Sequence, residues 1–140
     1  MATEDELPSH YIKRILLDRP EACLDVGAEL LRGFSDSLGK TIGEDGFRSL
    51  LFRAARRVAV THPWLRLDPP AGQAVAQQDW FGQCFEGRAD RDIEDAMIRL
   101  LTGLVDILTD LIGARLTTII LNNAAAGVSA SNNGKERHNG

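Results

Sequence analysis

The chain has 140 residues, of which 44% are hydrophobic and 26% are charged, a composition that suits one globular domain. Its net charge of −4 excludes the basic excess that is typical of general nucleic-acid-binding proteins. The acidic start, the two cysteines and the lack of about eighteen uninterrupted apolar residues predict a cytoplasmic protein with no signal peptide, disulfide or membrane insertion.

The N-terminal half contains a flexible acidic arm over residues 1–7 and then a first helical unit, which we place at 11–62. Asp18, Pro20 and Glu21 have the spacing of a helix start, with a capping acceptor, a first-turn proline and an acidic residue. The apolar residues that follow recur at steps of three and four, which predicts one helix with an apolar stripe. This stripe comprises Leu24, Ala28, Leu31, Phe34, Leu38 and Ile42.

A second helix of the first unit is predicted to open near residues 41–44, which have the spacing of a capping box. Pro63 should end it, because proline interrupts helical hydrogen bonding. Residues 63–78 then form a connector rich in proline and glycine. The apolar stripe of this second helix comprises Phe47, Leu50, Leu51, Ala54, Ala55 and Val58.

The second unit is placed at 79–126 and opens with an aromatic segment, 79–85, that we predict as a short helix. Asp90 is the expected cap of the long helix that follows. Val105 and Ile107 widen the apolar stripe of this helix, so we expect it to lie centrally and to favour self-association. Its other apolar positions are Ile93, Met97, Leu100, Leu101, Leu104, Leu108, Leu111 and Ile112.

The C-terminal part of the domain is predicted as a last helix over residues 114–126. Leu116, Ile119, Ile120 and Leu121 are expected to face inward. Residues 127–140 are polar and glycine-containing, and they are predicted to form a disordered tail.

The two units align without a gap when the sequence is shifted by 70 residues. Between 25–55 and 95–125, eleven positions are identical, where about two or three would be expected by chance. The sequence therefore predicts an all-α helical bundle of two duplicated helix-pair units with pseudo-two-fold symmetry, forming a single domain over 8–126. The identical pairs are Asp25/Asp95, Leu30/Leu100, Leu31/Leu101, Gly33/Gly103, Asp36/Asp106, Leu38/Leu108, Ile42/Ile112, Gly43/Gly113, Leu51/Leu121, Ala54/Ala124 and Ala55/Ala125.

The paired glycines within helices have two interpretations. Gly33 and Gly103 mark either a close approach of two helices or room for a ligand against the backbone, and we favour the close approach. We expect Gly103 to lie in the closer contact, because its helix has the wider stripe. Gly43 and Gly113 mark joints where a helix stops or bends.

The paired aspartates have two interpretations as well. Asp36 and Asp106 each lie one turn after the mid-helix glycine. They either accept hydrogen bonds from the other unit or face solvent.

No catalytic, metal-binding or cofactor-binding residue is predicted, and the chain favours a non-enzyme. His10, His62 and His138 lack the spacing of metal ligands, and two cysteines alone cannot close a zinc site. Phosphotransfer is conceivable at His62, but a histidine at a helix end beside a proline is more often a capping or packing residue.

Two groups of residues suggest binding of a partner. Arg53, Arg56 and Arg57, which follow Arg48, share one helix face and could meet an acidic partner or a phosphate. The alternative is a solvated face paired with nearby carboxylates. The second group is an aromatic cluster around the connector, which is either an interface or a lid over the core. It comprises Trp64, Trp80, Phe81 and Phe85.

Residues 101–113 and 42–45 resemble helical segments of bacterial proteins that accompany signal-transduction modules. This resemblance favours a bacterial accessory or regulatory protein. We therefore expect a non-enzymatic protein-interaction module that binds another protein or a second copy of itself, without nucleic acid or cofactor. The alternative is a sensor that holds an apolar small molecule between the two units.

Overall fold

The computed structural model of the chain describes residues 7–18, 22–65 and 85–139, with the backbone alone from residue 128 onward. Within these residues the regular structure is helical and contains no β-strand, which confirms the predicted all-α fold. Four helices pack together in this part of the chain. They are α1 (Pro8–Asp18), α2 (Cys23–Ala59), α3 (Asp90–Ile112) and α4 (Ala114–Asn139).

The helix starts differ from the predicted caps. Asp18 is the last residue of α1, because Ile12 and Leu16 are fully buried and keep this stretch helical. Helix α2 begins at Cys23, and no side chain caps it. Asp90 is the first residue of α3 rather than its cap, where its negative charge still favours the helix dipole.

The C-terminal helix is longer than the predicted 114–126. Helix α4 continues to Asn139, so the backbone of the predicted tail is helical. Gly127 lies within the helix, and a glycine there costs only about 1 kcal/mol relative to alanine.

Glycine forms both predicted joints. Gly43 interrupts α2 with φ 81° and ψ 164°, and Gly113 separates α3 from α4 with φ 89° and ψ 157°. These two pairs of angles are alike, and they lie in a region of backbone space that is essentially restricted to glycine. The chain therefore changes direction at two positions that are 70 residues apart.

The packing of the helices places α2 against both α3 and α4. Helix α4 packs mainly on α2 and much less on α3, to which the Gly113 joint connects it. Helix α1 packs mainly on α3. The core consists of the apolar side chains that these contacts remove from water, among them Phe34, Leu30, Leu38, Met97, Leu100, Leu101, Leu104 and Leu108.

The wide stripe of α3 is covered within one chain. Val105 and Ile107 are buried, and Leu111 is the exception at 60% exposure. The width of this stripe therefore does not by itself require a second copy of the chain.

Small residues set the distance between helices at two places. A Cβ added at Gly33 would lie 2.7 Å from Cβ and 2.8 Å from Cα of Ala124, whereas one added at Gly103 would lie 3.9 Å from Cβ of Ala54. The close approach that we favoured is thus present at Gly33. The expectation that Gly103 lies in the closer contact is wrong, because the width of an apolar stripe does not fix the distance to the next backbone.

The joints give the first prediction. Gly43→Ala and Gly113→Ala should each lower the free energy of unfolding by about 1–3 kcal/mol, because alanine is strained at these backbone angles. Neither added methyl would contact another residue, so the effect reports backbone strain alone. Gly39→Ala is the matched control, since Gly39 also has open space but lies in regular helix, and it should stabilise by about 0.4–1 kcal/mol. Urea titration measures all three, and equal effects at positions 39 and 43 would contradict the strained joint.

The close contact gives the second prediction. Gly33→Ala should destabilise the protein by about 1–3 kcal/mol, because the methyl would overlap the backbone of Ala124. Gly103→Ala should be neutral or slightly stabilising, because its methyl would be in ordinary contact. Adding Ala124→Gly to Gly33→Ala should recover part of the loss, as a double-mutant cycle in urea would show. An additive cycle would refute the contact.

Candidate functional site

Three of the predicted partner-binding residues lie together on the second part of α2. Arg53, Arg56, Arg57 and Val60 follow each other at i, i+3, i+4 and i+7, so they share one side of the helix. All four are exposed, and Val60 is 82% exposed. We call these four residues the cationic face.

The arginines of the cationic face form no ion pair with any carboxylate in the described part of the chain. The sequence explains this, because no Asp or Glu occurs between residues 46 and 67. The alternative of a face paired with nearby carboxylates is therefore wrong for these residues. Arg48 lies on a different side of the helix, and its Nε is buried without a hydrogen-bond partner.

The described aromatic residues pack together beside the end of α2. The rings of Trp64 and Phe85 meet edge to face with centroids 5.4 Å apart, and the Arg88 guanidinium lies 4.8 Å from the centroid of Trp64. Phe85 is buried and Trp64 is half-buried, which supports the lid interpretation for these two. Trp80 and Phe81 lie outside the described residues.

A polar link that the sequence does not reveal joins the end of α2 to α3. His62 Nε2 lies 3.0 Å from Oδ2 of Asp95, and Arg99 Nε donates to the same oxygen at 3.0 Å. Thr61 Oγ1 lies 2.8 Å from His62 Nδ1. Both ring nitrogens are engaged and the side chain is 11% exposed, so the geometry favours a packing role for His62 over phosphotransfer.

The remaining chemical candidates are inert or exposed. Burial, and secondarily the charge of Glu94, raises the pKa of the Cys23 thiol to about 11, so the thiol stays protonated near neutral pH. Asp36 and Asp106 are both exposed at the surface. The described residues contain no cluster of three or more His, Cys, Asp or Glu that could hold a metal ion. Cys84 lies outside these residues.

A second exposed face lies on α4 and corrects the predicted orientation of that helix. Leu116 and Ile119 were expected to face inward, but they are 52% and 51% exposed. The inward side of α4 is instead set by Thr117, Leu121 and Ala124, which are buried at steps of four and three. We call the exposed residues Leu116, Ile119, Asn123 and Ala126 the uncharged face.

Comparison with known proteins found no matching protein family, no matching curated protein and no matching solved structure. None of the helices in the described ranges is both long and apolar enough to cross a membrane.

The buried thiol gives the third prediction. In a Cys84→Ser variant at pH 8, Cys23 should react with iodoacetamide roughly 200-fold more slowly in the folded protein than in urea, because the unfolded thiol has a pKa near 8.5. Folded and unfolded rates that agree within a few-fold would contradict the burial of this side chain.

Proposed function

We propose that the chain is a non-enzymatic protein-interaction module of two duplicated helix-pair units, and that it acts as an accessory or regulatory protein in signalling. The module binds other proteins through residues on the outside of its helices. Three observations support this proposal: the mutual contacts of the two units, the filled space beside their paired glycines, and the unequal character of their outer faces.

The contacts between the units exchange as a two-fold relation requires. At an offset of 70, Gly33 corresponds to Gly103 and Ala54 corresponds to Ala124. Gly33 faces Ala124, and Gly103 faces Ala54, so each glycine meets the alanine of the other unit.

The position of the two-fold axis follows from another pair of equivalent residues. The side chain of Met97 lies directly beside Gly27, 70 residues away, as expected for residues near a two-fold axis. The like angles at Gly43 and Gly113 support the same relation.

The space beside the paired glycines is occupied. The small-molecule sensor requires room between the units near Gly33 and Gly103. Ala124 fills that space at Gly33, and Ala54 lies at ordinary contact distance from a Cβ at Gly103. Helix packing thus accounts for both glycines, and this favours the interaction module over the sensor.

The single observation that carries the proposal is the difference between two equivalent outer surfaces. Arg53, Arg56 and Arg57 on the cationic face correspond to Asn123, Ala126 and Gly127 on α4. Helix α4 packs on the core with none of these arginines, so the fold does not require them. Exposed and unpaired charges that folding does not need are best explained by recognition of a partner.

The fourth prediction tests this function in the native cell with a photo-crosslinking amino acid. Placed at Val60, in the cationic face, or at Ile119, in the uncharged face, the probe should give discrete crosslinks to one or a few proteins. Placed at Asp36, which is exposed but lies outside both faces, it should give none. All three variants must retain the helical circular dichroism of the unmodified protein.

The outcomes separate the functions. Crosslinks at Val60 or Ile119 that identify a partner, including a second copy of the chain, support the module. An absence of crosslinks at both faces, or equal labelling at Asp36, would contradict it. A small molecule that co-purifies at one per chain in native mass spectrometry would favour the sensor instead.

A further inference from the structure

We infer that the cationic face binds an acidic segment of a partner protein, in which carboxylates meet Arg53, Arg56 and Arg57 and an apolar side chain covers Val60. This inference rests on the proposed function and names the chemistry of the partner. Arginine presents a planar fork of donors that matches a carboxylate with two parallel hydrogen bonds, so the face is suited to this group.

The charge of the face is available to a partner. The guanidinium groups of Arg53, Arg56 and Arg57 are exposed, and no acidic residue occurs near them in sequence. Elsewhere on the described surface comparable groups are engaged: Arg32 pairs with Glu29 and Arg99 pairs with Asp95. The cationic face therefore concentrates unneutralised positive charge on a protein whose net charge is −4.

The dimensions of the face fit a short segment. From Arg53 to Val60 the helix advances roughly 10 Å, which two turns of a partner helix would cover. Val60 is the one apolar residue of the face and lies at its end. A partner segment that carries carboxylates followed by an apolar side chain would match this order.

A second copy of the chain is a poor occupant of this face. A symmetric dimer would bring the same surface of both copies together, so three arginines would oppose three arginines. Like charges that face each other across an interface oppose association. The uncharged face carries no such repulsion, and any self-association would be expected there.

A nucleic acid or a lipid surface is also disfavoured. Either polyanion extends well beyond three arginines and would approach the acidic remainder of the molecule. A short acidic segment contacts the face alone. Among the chemistries that could recognise arginine, the carboxylates of a protein segment therefore fit the charge distribution best.

The experiment uses the full chain and a Glu-rich amphipathic peptide as the probe, followed by fluorescence anisotropy at low salt. The variant R53Q/R56Q/R57Q should weaken binding by about tenfold or more, since each arginine–carboxylate contact contributes a fraction of a kcal/mol to 1 kcal/mol. The matched control is R32Q/R91Q/R115Q, which removes the same charge from exposed positions outside the face and should weaken binding by no more than about two- to threefold. A peptide with Gln in place of Glu should not bind.

Several results would overturn the inference: no binding of the Glu-rich peptide at millimolar concentration, equal losses in the two variants, or equal binding of the Gln peptide. Tighter binding of a DNA duplex or of phosphatidylserine vesicles through the same arginines would replace the acidic protein segment with a phosphate ligand. If the partner crosslinked at Val60 binds the R53Q/R56Q/R57Q variant as tightly as the unmodified protein, the inference fails while the proposed function stands.

Discussion

Glycine at the two joints constrains how this chain buries its apolar surface. Gly43 and Gly113 adopt backbone angles that other residues rarely tolerate, and the helix path breaks at both. Helix α4 then packs on α2 far more than on α3, although α3 precedes it directly. The apolar stripe of each helix is thus covered by a helix that is distant in sequence, and the fold depends on the two halves meeting.

Packing between the halves in turn decides which residues remain outside. Close approach of Gly33 to Ala124 turns Leu121 and Ala124 of α4 toward the core, so Leu116 and Ile119 remain at the surface. On α2 the corresponding outer side carries arginine. Two surfaces that occupy equivalent positions in the sequence repeat have thereby acquired different chemistry, and this difference is the basis of the proposed interaction module.

The sequence predicts those features that depend on local spacing. The all-α class, the stripe from Leu30 to Leu38 and the joints at Gly43 and Gly113 follow from periodicity and from the two Ile-Gly pairs. The shared face of Arg53, Arg56 and Arg57 follows from helix geometry, but their lack of ion pairs required the structure. Leu116 and Ile119 were placed inward because a short apolar run contains several possible stripes, and only the contact with α2 selects one.

Features that depend on distance in space could not be read from the sequence. The link between His62 and Asp95 joins residues on separate helices, and neither has a motif around it. The unequal contacts at Gly33 and Gly103 depend on how closely Ala124 and Ala54 approach, which differs although the residue types are identical. The most direct test of the exchanged packing is a solution NMR measurement of nuclear Overhauser effects from the glycine Hα protons. The account predicts cross-peaks from Gly33 to the Ala124 methyl and from Gly103 to the Ala54 methyl, the first being stronger. Cross-peaks from Gly33 to Ala54 in place of Ala124 would contradict it.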